Sequence, residues 1–352
     1  MSSKVIYTEE TYSIHRRNGL TDDARHVLDN APLGTEGVVY EHLNRDEHIA
    51  HLHNPVLLSI QEGDRILGTA VFCQTDVSVG PHSYNAYYVR YFAASGEIRG
   101  RGIMKHFSGK TMEAVRLGER EKTIYFASVE RKNHRSFKVV SGAGYENLGV
   151  MRTNGFSRFF PRKSSSIEQI NTEQQRCEVI ELLREQYREH ALVHFNSVFL
   201  HDDYYVIRYN GRIVAGCQFH RVKWAVRSMP GLTGKLIVGT TPYIPLLNRL
   251  FNPAAFNFLG FEGIYCEPGY ENRLEELFEG LLWQEKRYSA MYWMAETCPV
   301  RQRIQSVIRP GLLHSFVQDA HTFIMASATG LTEDEMADLR KRPLFASAFD
   351  YT

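Results

Sequence analysis

The sequence predicts an α/β protein made of two tandem halves. Two hairpin patterns and a repeated order of elements lead to that reading. Residues 56–60 and 65–74 are strand-like runs joined by the turn Glu62-Gly63-Asp64, and residues 84–93 form a third run rich in β-branched and aromatic side chains. A helical pattern from residue 103 to about 119 then leads to a buried strand over residues 123–129. Hairpin, strand, helix and strand return in the same order at 204–216, 263–267, 272–286 and 289–295. That return reads as an internal duplication.

The remaining elements follow from local signals. Residues 21–28 and 41–48 have helical patterns ahead of the first hairpin, and residues 152–163 supply the last strand of the first half. A polar, serine-rich stretch at 161–175 is the expected linker, so the halves are drawn as 1–163 and 164–352. An amphipathic helix at 173–189 opens the second half, and residues 225–262, with four prolines and several aromatics, are expected to form a lid. With 352 residues, 43% of them hydrophobic, the chain has enough apolar surface for a core in each half.

Charge narrows the partners. Forty-one Lys and Arg against 40 Asp and Glu leave a net charge of +1, which argues against nucleic acid or a membrane as a partner drawn by bulk electrostatics. Cys73, Cys177, Cys217, Cys266 and Cys298 are scattered with no Cys-x-x-Cys pair and read as reduced thiols of a cytoplasmic protein. The amino-terminal residues carry no apolar targeting run, and no apolar stretch reaches the length of a membrane span. His48, His51 and His53 are close in sequence, but His53 breaks from the helix face of the other two and no carboxylate completes a ligand set, so no metal is expected. The chain alone leaves monomer and dimer open.

The chemistry gathers in two segments. The strand at 84–93 runs into a turn carrying Glu97 and then Arg99-Gly100-Arg101-Gly102, which opens the helix. Two residues without a Cβ allow close backbone approach, and the helix start offers unpaired amides and a positive dipole end beside two guanidiniums, a setting suited to a pyrophosphate. The same residues would also serve as a basic turn capping a surface helix. In the second segment Asn133 follows the strand at 123–129, Ser136 lies on the same helix face, and Gly142-Ala143-Gly144 ends that helix before Tyr145. An ordinary N-capped helix has the same pattern.

Together and in this order, the two segments resemble the GNAT superfamily of acyl-CoA N-acyltransferases. The family pattern, Arg or Gln, two residues, Gly, one residue, then Gly or Ala, is met by Arg99, Gly100, Arg101, Gly102 and Ile103, and departs at Met104, whose side chain either narrows the phosphate approach or swings away. Asn133, Ser136, Gly144 and Tyr145 match the downstream element. The resemblance implies two GNAT-like domains, each a mixed, mostly antiparallel sheet flanked by helices, with strands four and five splayed to admit the pantetheine arm. It implies acetyl-CoA as co-substrate, held by the 99–104 loop, by Asn133 and Ser136, and by the strand-four backbone at Phe92, Ala93 and Ala94, where an amide would also meet the oxyanion. The second copy is degenerate, with Pro268-Gly269-Tyr270-Glu271 in place of the glycine turn and Cys298-Pro299 in place of the Asn and Ser, and its expected role is to complete the acceptor pocket.

The implied reaction is N-acetyl transfer by direct attack of an amine in a ternary complex, since no cysteine in the motif region offers a covalent carrier. A base is required to neutralise the attacking amine. Glu130, at the open end of strand five, is the first candidate and Glu97 the second; each reads equally as a solvated loop carboxylate. Many family members place a proton-donating Tyr where this chain has Val140. Tyr87 and Tyr91, alternating onto one face of strand four, are candidates to line the acceptor site or simply pack in the core. The acceptor is a small amine, an amino acid, an aminoglycoside-like molecule or a peptide. Two rival readings stand beside this one: a CoA-binding regulator that has lost catalysis, and a transferase using a longer acyl-CoA.

Overall fold

The computed structural model describes residues 3–29, 34, 37–98, 100–119, 121–201 and 203–352. Its first half contains β1 (Lys4–Glu9), β2 (Tyr12–Asn18), α1 (Asp22–Asp29), β3 (Val39–His42), α2 (Arg45–Ala50), β4 (Pro55–Glu62), β5 (Arg65–Val79), β6 (His82–Ala94), α3 (Ile103–Gly118), β7 (Thr123–Glu130), α4 (His134–Gly142) and β8 (Glu146–Ser157). The second contains β9 (Ile167–Gln169), α5 (Glu173–Tyr187), β10 (Tyr205–Tyr209), β11 (Arg212–Ser228), α6 (Gly231–Thr240), α7 (Pro245–Leu250), β12 (Phe256–Cys266) and α8 (Glu271–Gln284). It closes with β13 (Ser289–Ala295), α9 (Pro299–Val307), α10 (Leu312–Val317), β14 (His321–Thr329) and α11 (Glu333–Lys341).

These strands form one mixed sheet in the order β1-β2-β4-β5-β6-β7-β14-β8-β13-β12-β11-β10-β9, with β3 added against β11. Apart from the extra edge strand β1, the order is matched on the two sides of the central β14–β8 pair. On one side β4, β5 and β6 are antiparallel neighbours and β6 runs parallel to β7; on the other β10, β11 and β12 are antiparallel neighbours and β12 runs parallel to β13. Each half is therefore a mixed, mostly antiparallel sheet, as expected, but the two are fused edge to edge. β14 leaves the second half to lie between β7 and β8, and β8 leaves the first half to lie between β14 and β13.

Alternation along the strands sorts the side chains into two layers. Tyr87, Tyr125, Phe72, Val56 and Leu58 point to the side covered by α3 and α4, where they meet Met112, Val115 and Tyr145. Their neighbours Tyr88, Phe126, Val71 and Leu57 point the other way, to a core that includes Ala24, Val27 and Leu28 of α1. α5 recurs as expected, fixed at its start by a capping box between Thr172 and Gln175, but other ends move: the strand expected at 152–163 is β8 from Glu146, the strand expected at 263–267 is β12 from Phe256, and the 225–262 stretch expected as a lid is the end of β11, α6, α7 and the start of β12. A further expectation is corrected. Residues 41–48 are not one helix: Val39–His42 is a strand and α2 begins at Arg45, because the backbone of residues 39–42 pairs with Trp224 to Ser228, far along the chain. The edge hairpin β1–β2 was not expected either, although its turn at Glu9 to Tyr12 sits between two strand-like runs.

Close packing constrains the centre of the sheet. A Cβ at Gly155 of β8 would lie 2.9 Å from the His314 amide nitrogen and 3.0 Å from the Leu313 carbonyl carbon, both backbone atoms of α10. Gly155→Ala should force that helix off the sheet and cost about 1–3 kcal/mol. A denaturant midpoint equal to that of the unsubstituted protein would show that α10 yields freely.

Candidate active site

The parallel pairing of β6 with β7 covers only Asn85 to Tyr88 against Thr123 to Phe126. Beyond those residues the strands part, while β7 stays bonded to β14 along its whole length, from Thr123 opposite Thr329 to Glu130 opposite Thr322. The opening coincides with a bulge in β6: Val71 of β5 faces Arg90 but Thr69 faces Ala93, so an extra residue is accommodated near Tyr91, which takes a left-handed φ of 52°. The bulge breaks the alternation that placed Tyr87 and Tyr91 on one face. Tyr87 stacks on Tyr125 beneath the α3–α4 layer, whereas Tyr91 packs against the opposite core with the Arg90 guanidinium 4.6 Å from its ring centre. Phe92 is thereby turned toward α3, partly exposed; Ala93 is buried and Ala94 half-buried.

At one side of this mouth stands the glycine turn. Gly100 and Gly102 have φ of 83° and 78°, and a Cβ built on either would meet nothing within 4 Å. Both glycines are thus required by backbone conformation, and both face open space. Gly102 caps α3 without any side-chain hydrogen bond, and the first turn of bonding begins with the His106 amide donating to the Gly102 carbonyl. The amides of Ile103, Met104 and Lys105 have no preceding helical carbonyl to reach. Arg101 is exposed beside them; Arg99 lies outside the described residues. The Ile103 side chain packs with Ile14, Ile60 and Phe107. Met104 swings away from the turn, its Sδ 2.5 Å from where a Cβ of Gly68 would stand, so its bulk rests on the sheet. A glycine at position 68 makes that room.

Asn133 caps α4, its side-chain oxygen accepting the Ser136 amide at 3.0 Å. Between the two helices and the sheet, Phe92, Met104, Met112, Val139, Val140 and Tyr145 help to line an apolar cleft with about 60 Å3 of free space. The Tyr145 hydroxyl donates to the Met112 sulfur at 3.4 Å, and burial pushes its pKa well up, so this tyrosine does not replace the proton donor missing at Val140.

Across the mouth, Glu130 ends β7. Its Oε1 accepts the Tyr40 hydroxyl at 3.3 Å, while its Oε2 lies 3.5 and 3.6 Å from Cβ positions built on Gly34 and Gly37. Burial raises the Glu130 pKa, opposed by the Tyr40 hydrogen bond. Tyr40 is itself fixed by stacking on Trp224 of β11, ring centres 4.4 Å apart. Glu97 sits in an exposed turn, its carboxylate 2.9 Å from Arg65. The nearby histidines are held neutral: His42 is depressed to about 3, and His48 well below its ordinary value, by burial first and then by the Arg90 cation. His48 stacks on Phe349, while His51 and His53 bond separate backbone carbonyls, of Glu47 and Gln74. No group of three or more metal-binding side chains exists among the described residues.

The residues 347–352 also reach this mouth, and sequence reading missed them. The Tyr88 hydroxyl donates to the Asp350 carbonyl at 3.2 Å, Arg90 donates to the Phe349 carbonyl at 3.4 Å, and the Ser128 hydroxyl donates to the Tyr351 hydroxyl at 3.0 Å. Glu262 of β12, fully buried, holds the segment by accepting the Ser347 hydroxyl and the Phe349 amide, each at 2.9 Å. Tyr40 and Trp224 were missed for the same reason: they meet Glu130 only through the pairing of β3 with β11. In the second half, the place of the glycine turn is filled from within. Glu271 accepts the Gly269 amide at 3.1 Å and lies 3.5 Å from Arg303, so a carboxylate already occupies the turn.

No family model matches the sequence, and no curated protein does. Solved structures match the fold. A Saccharomyces cerevisiae N-myristoyltransferase with bound myristoyl-CoA aligns over 98% of this chain and 92% of its own, with a TM-score of 0.59 and 9% identity. A second structure of that enzyme, with myristoyl-CoA and inhibitors, covers 98% of this chain and 89% of its own at TM-score 0.57 and 9% identity. A GCN5-related N-acetyltransferase from Anabaena variabilis covers 89% of this chain and 72% of its own, at TM-score 0.52 and 9% identity. The chain has the two-lobed GNAT fold of acyl-CoA N-acyltransferases.

The environment of Glu130 sets a pH dependence. Its folded pKa is raised by burial above the unfolded value, so folding favours the protonated carboxyl. That stabilisation is fully present below the unfolded pKa and is lost as pH rises through the folded one. Glu130→Gln stays uncharged, so it should lose less stability than the unsubstituted protein between acid and neutral pH. Denaturant midpoints across that range test this; parallel curves would mean the carboxylate is not desolvated.

Proposed function

We propose that the protein is an acyl-CoA-dependent N-acyltransferase in which the first half binds the donor and the acceptor amine enters from the side of Glu130. The observation that carries this reading is the splay of β6 from β7, with the open glycine turn on one flank and a desolvated carboxylate on the other. The pyrophosphate would lie on the α3 amides beside Gly100, Arg101 and Gly102, the pantetheine amides against the backbone of Phe92, Ala93 and Ala94, and the nucleotide end near Asn133 and Ser136. Arg99 belongs to the same turn by sequence.

In the reaction, Glu130 takes a proton from the bound ammonium, and the freed amine attacks the thioester carbonyl. A β6 amide receives the oxyanion, the C–N bond forms, the C–S bond breaks, and CoA leaves as a thiolate; the second proton shed by the acylated nitrogen passes through water to that thiolate, since Val140 and the buried Tyr145 hydroxyl supply none. Glu97 has no part in this scheme: its carboxylate is engaged by Arg65 at the surface. The second half, with Glu271 in its turn, serves the acceptor side through Trp224 and residues 347–352. A small amine or a peptide amine would suit that side.

Acetyl-CoA is the first donor to consider. A longer acyl chain is the second reading: the cleft lined by Phe92 and Val140 is apolar, and its free space of about 60 Å3 would have to widen to take more than a short chain. Thiol release from acetyl-, butyryl-, octanoyl- and myristoyl-CoA over a panel of amines separates the two. A rate falling with chain length supports acetyl transfer, a rate rising with it supports use of the cleft, and binding without release on any amine would favour the regulator and sink the enzyme reading.

Two substitutions sharpen the test. Gly102→Glu puts a charge and a side chain where the pyrophosphate would approach, and should abolish calorimetric binding of CoA from a starting point near micromolar, about −8 kcal/mol. The chain should still fold, at a backbone cost of about 1–2 kcal/mol for the left-handed φ. Unchanged affinity in the folded variant would place the donor elsewhere. Glu130→Gln should lower turnover by about 10²–10⁴-fold with donor affinity retained; full activity would remove Glu130 as the base.

A further inference from the structure

From Tyr204 to Phe261 the chain contains no aspartate or glutamate, although 40 of its 352 residues are acidic. The middle of that run, α6, a short 3₁₀ turn at Thr241–Tyr243 and α7, lies over a core containing Phe251, Phe256 and Phe258. Ile237 and Val238 pack into the core. On the outside stand Leu232, Leu236, Tyr243, Ile244 and Leu246, exposed by 78, 58, 85, 44 and 40%. Leu232, Lys235, Leu236 and Gly239 recur at the spacing of one helix face, which leads toward Tyr243. α6 is thus apolar on the side that packs and on the side that meets water, an arrangement that calls for a second apolar medium. Pro242 and Pro245 stiffen the chain on either side of Tyr243 and Ile244, presenting them as a rigid knuckle.

The charges beside this surface identify that medium. Lys235 and Arg249 are exposed, and no carboxylate pairs with either among the described residues. An apolar ridge whose cations have no carboxylate partner, Arg249 resting 5.5 Å over the Tyr288 ring, matches an element that lies in a lipid interface, side chains in the acyl boundary and cations among anionic headgroups. A symmetric contact between two copies would bring Lys235 and Arg249 near their own counterparts with no anion between them. We propose that residues 231–249 dock the protein on an anionic bilayer surface. The docking lies in the interface: among the described residues no helix is long and apolar enough to cross a membrane. Carboxylates from elsewhere in the sequence pair with Arg208, Arg212, Arg221 and Arg227 of this run, so the chain-wide charge of +1, which spoke against a membrane partner, conceals a local excess confined to such cations as Lys235 and Arg249. Val38, Tyr40 and Trp224 border the same core as Ile237 and Val238, so the docked face adjoins the Glu130 side of the mouth. The proposal itself stands apart from the acyltransfer reading.

Co-sedimentation of the full chain with phosphatidylcholine vesicles, and with phosphatidylcholine–phosphatidylglycerol vesicles, tests it. Binding is expected to the mixed vesicles, about ten-fold or more weaker to phosphatidylcholine alone, and lost in high salt. The double variant Leu232→Glu, Leu236→Glu should bind about ten-fold or more weakly while keeping its melting temperature, because both side chains are already in solvent. Tyr243→Trp should show a blue-shifted emission on the mixed vesicles. No binding to the mixed vesicles, or undiminished binding by the double variant, overturns the proposal. A concentration-dependent dimer dispersed by Leu236→Glu would overturn it in favour of a second copy.

Discussion

The pairing of β14 with both β7 and β8 is the constraint on which the rest of the molecule depends. β14 comes from the end of the second half, yet it bonds β7 from Thr123 to Glu130 and so fixes the strand that carries Glu130. Its other edge holds β8, which in turn pairs with β13. Neither half can complete its sheet from its own consecutive strands. An exchange of this kind makes the interface a run of backbone hydrogen bonds continuous with each core. It also places residues 347–352, which follow β14, against the mouth formed by β6 and β7.

Given that frame, one local irregularity opens the site. A parallel pair without a bulge would keep β6 and β7 bonded to their ends and leave no exposed amides between them. The extra residue near Tyr91 lets β6 stay paired with β5 as far as Ala94 while it departs from β7 after Tyr88. It also reassigns the faces beyond Arg90, sending Tyr91 to the opposite core and Phe92 toward α3. The left-handed conformation at a tyrosine is a strained choice, held by the pairing on its β5 side.

How much of this was legible follows from the range of each signal. The glycine turn, α3, β7 and the Asn133 cap are local, and their signals sit within a few residues: left-handed glycines, an apolar run, a capping side chain. The duplication was legible from the repeated order of hairpin, strand, helix and strand, although the second copy keeps neither the glycine turn nor the capping Asn. The end of β3 falls within the helix expected at 41–48, where acidic and basic residues stand at helical spacing, while the partner that makes Val39–His42 a strand lies on β11. Tyr40, Trp224 and residues 347–352 carry no motif. They become site residues only when the fold brings them to Glu130, and nothing in their own neighbourhood announces it.

Electrostatics then distinguishes Glu130 from the histidines around it. Arg90 is buried among Tyr88, Tyr91 and Phe349, and its charge is poorly screened there. Burial already disfavours a second cation, and the guanidinium adds to that penalty, so His42 and His48 are kept neutral and weakly basic. At Glu130 burial prevails over the Tyr40 hydrogen bond and the pKa is raised. Desolvation therefore acts in opposite senses on the two kinds of residue: it lowers the basicity of the imidazoles and raises that of the carboxylate. Of the histidines and the carboxylate gathered at this end of the sheet, the carboxylate is thus the one whose basicity burial increases, which is what the proposed proton transfer from an ammonium asks of it.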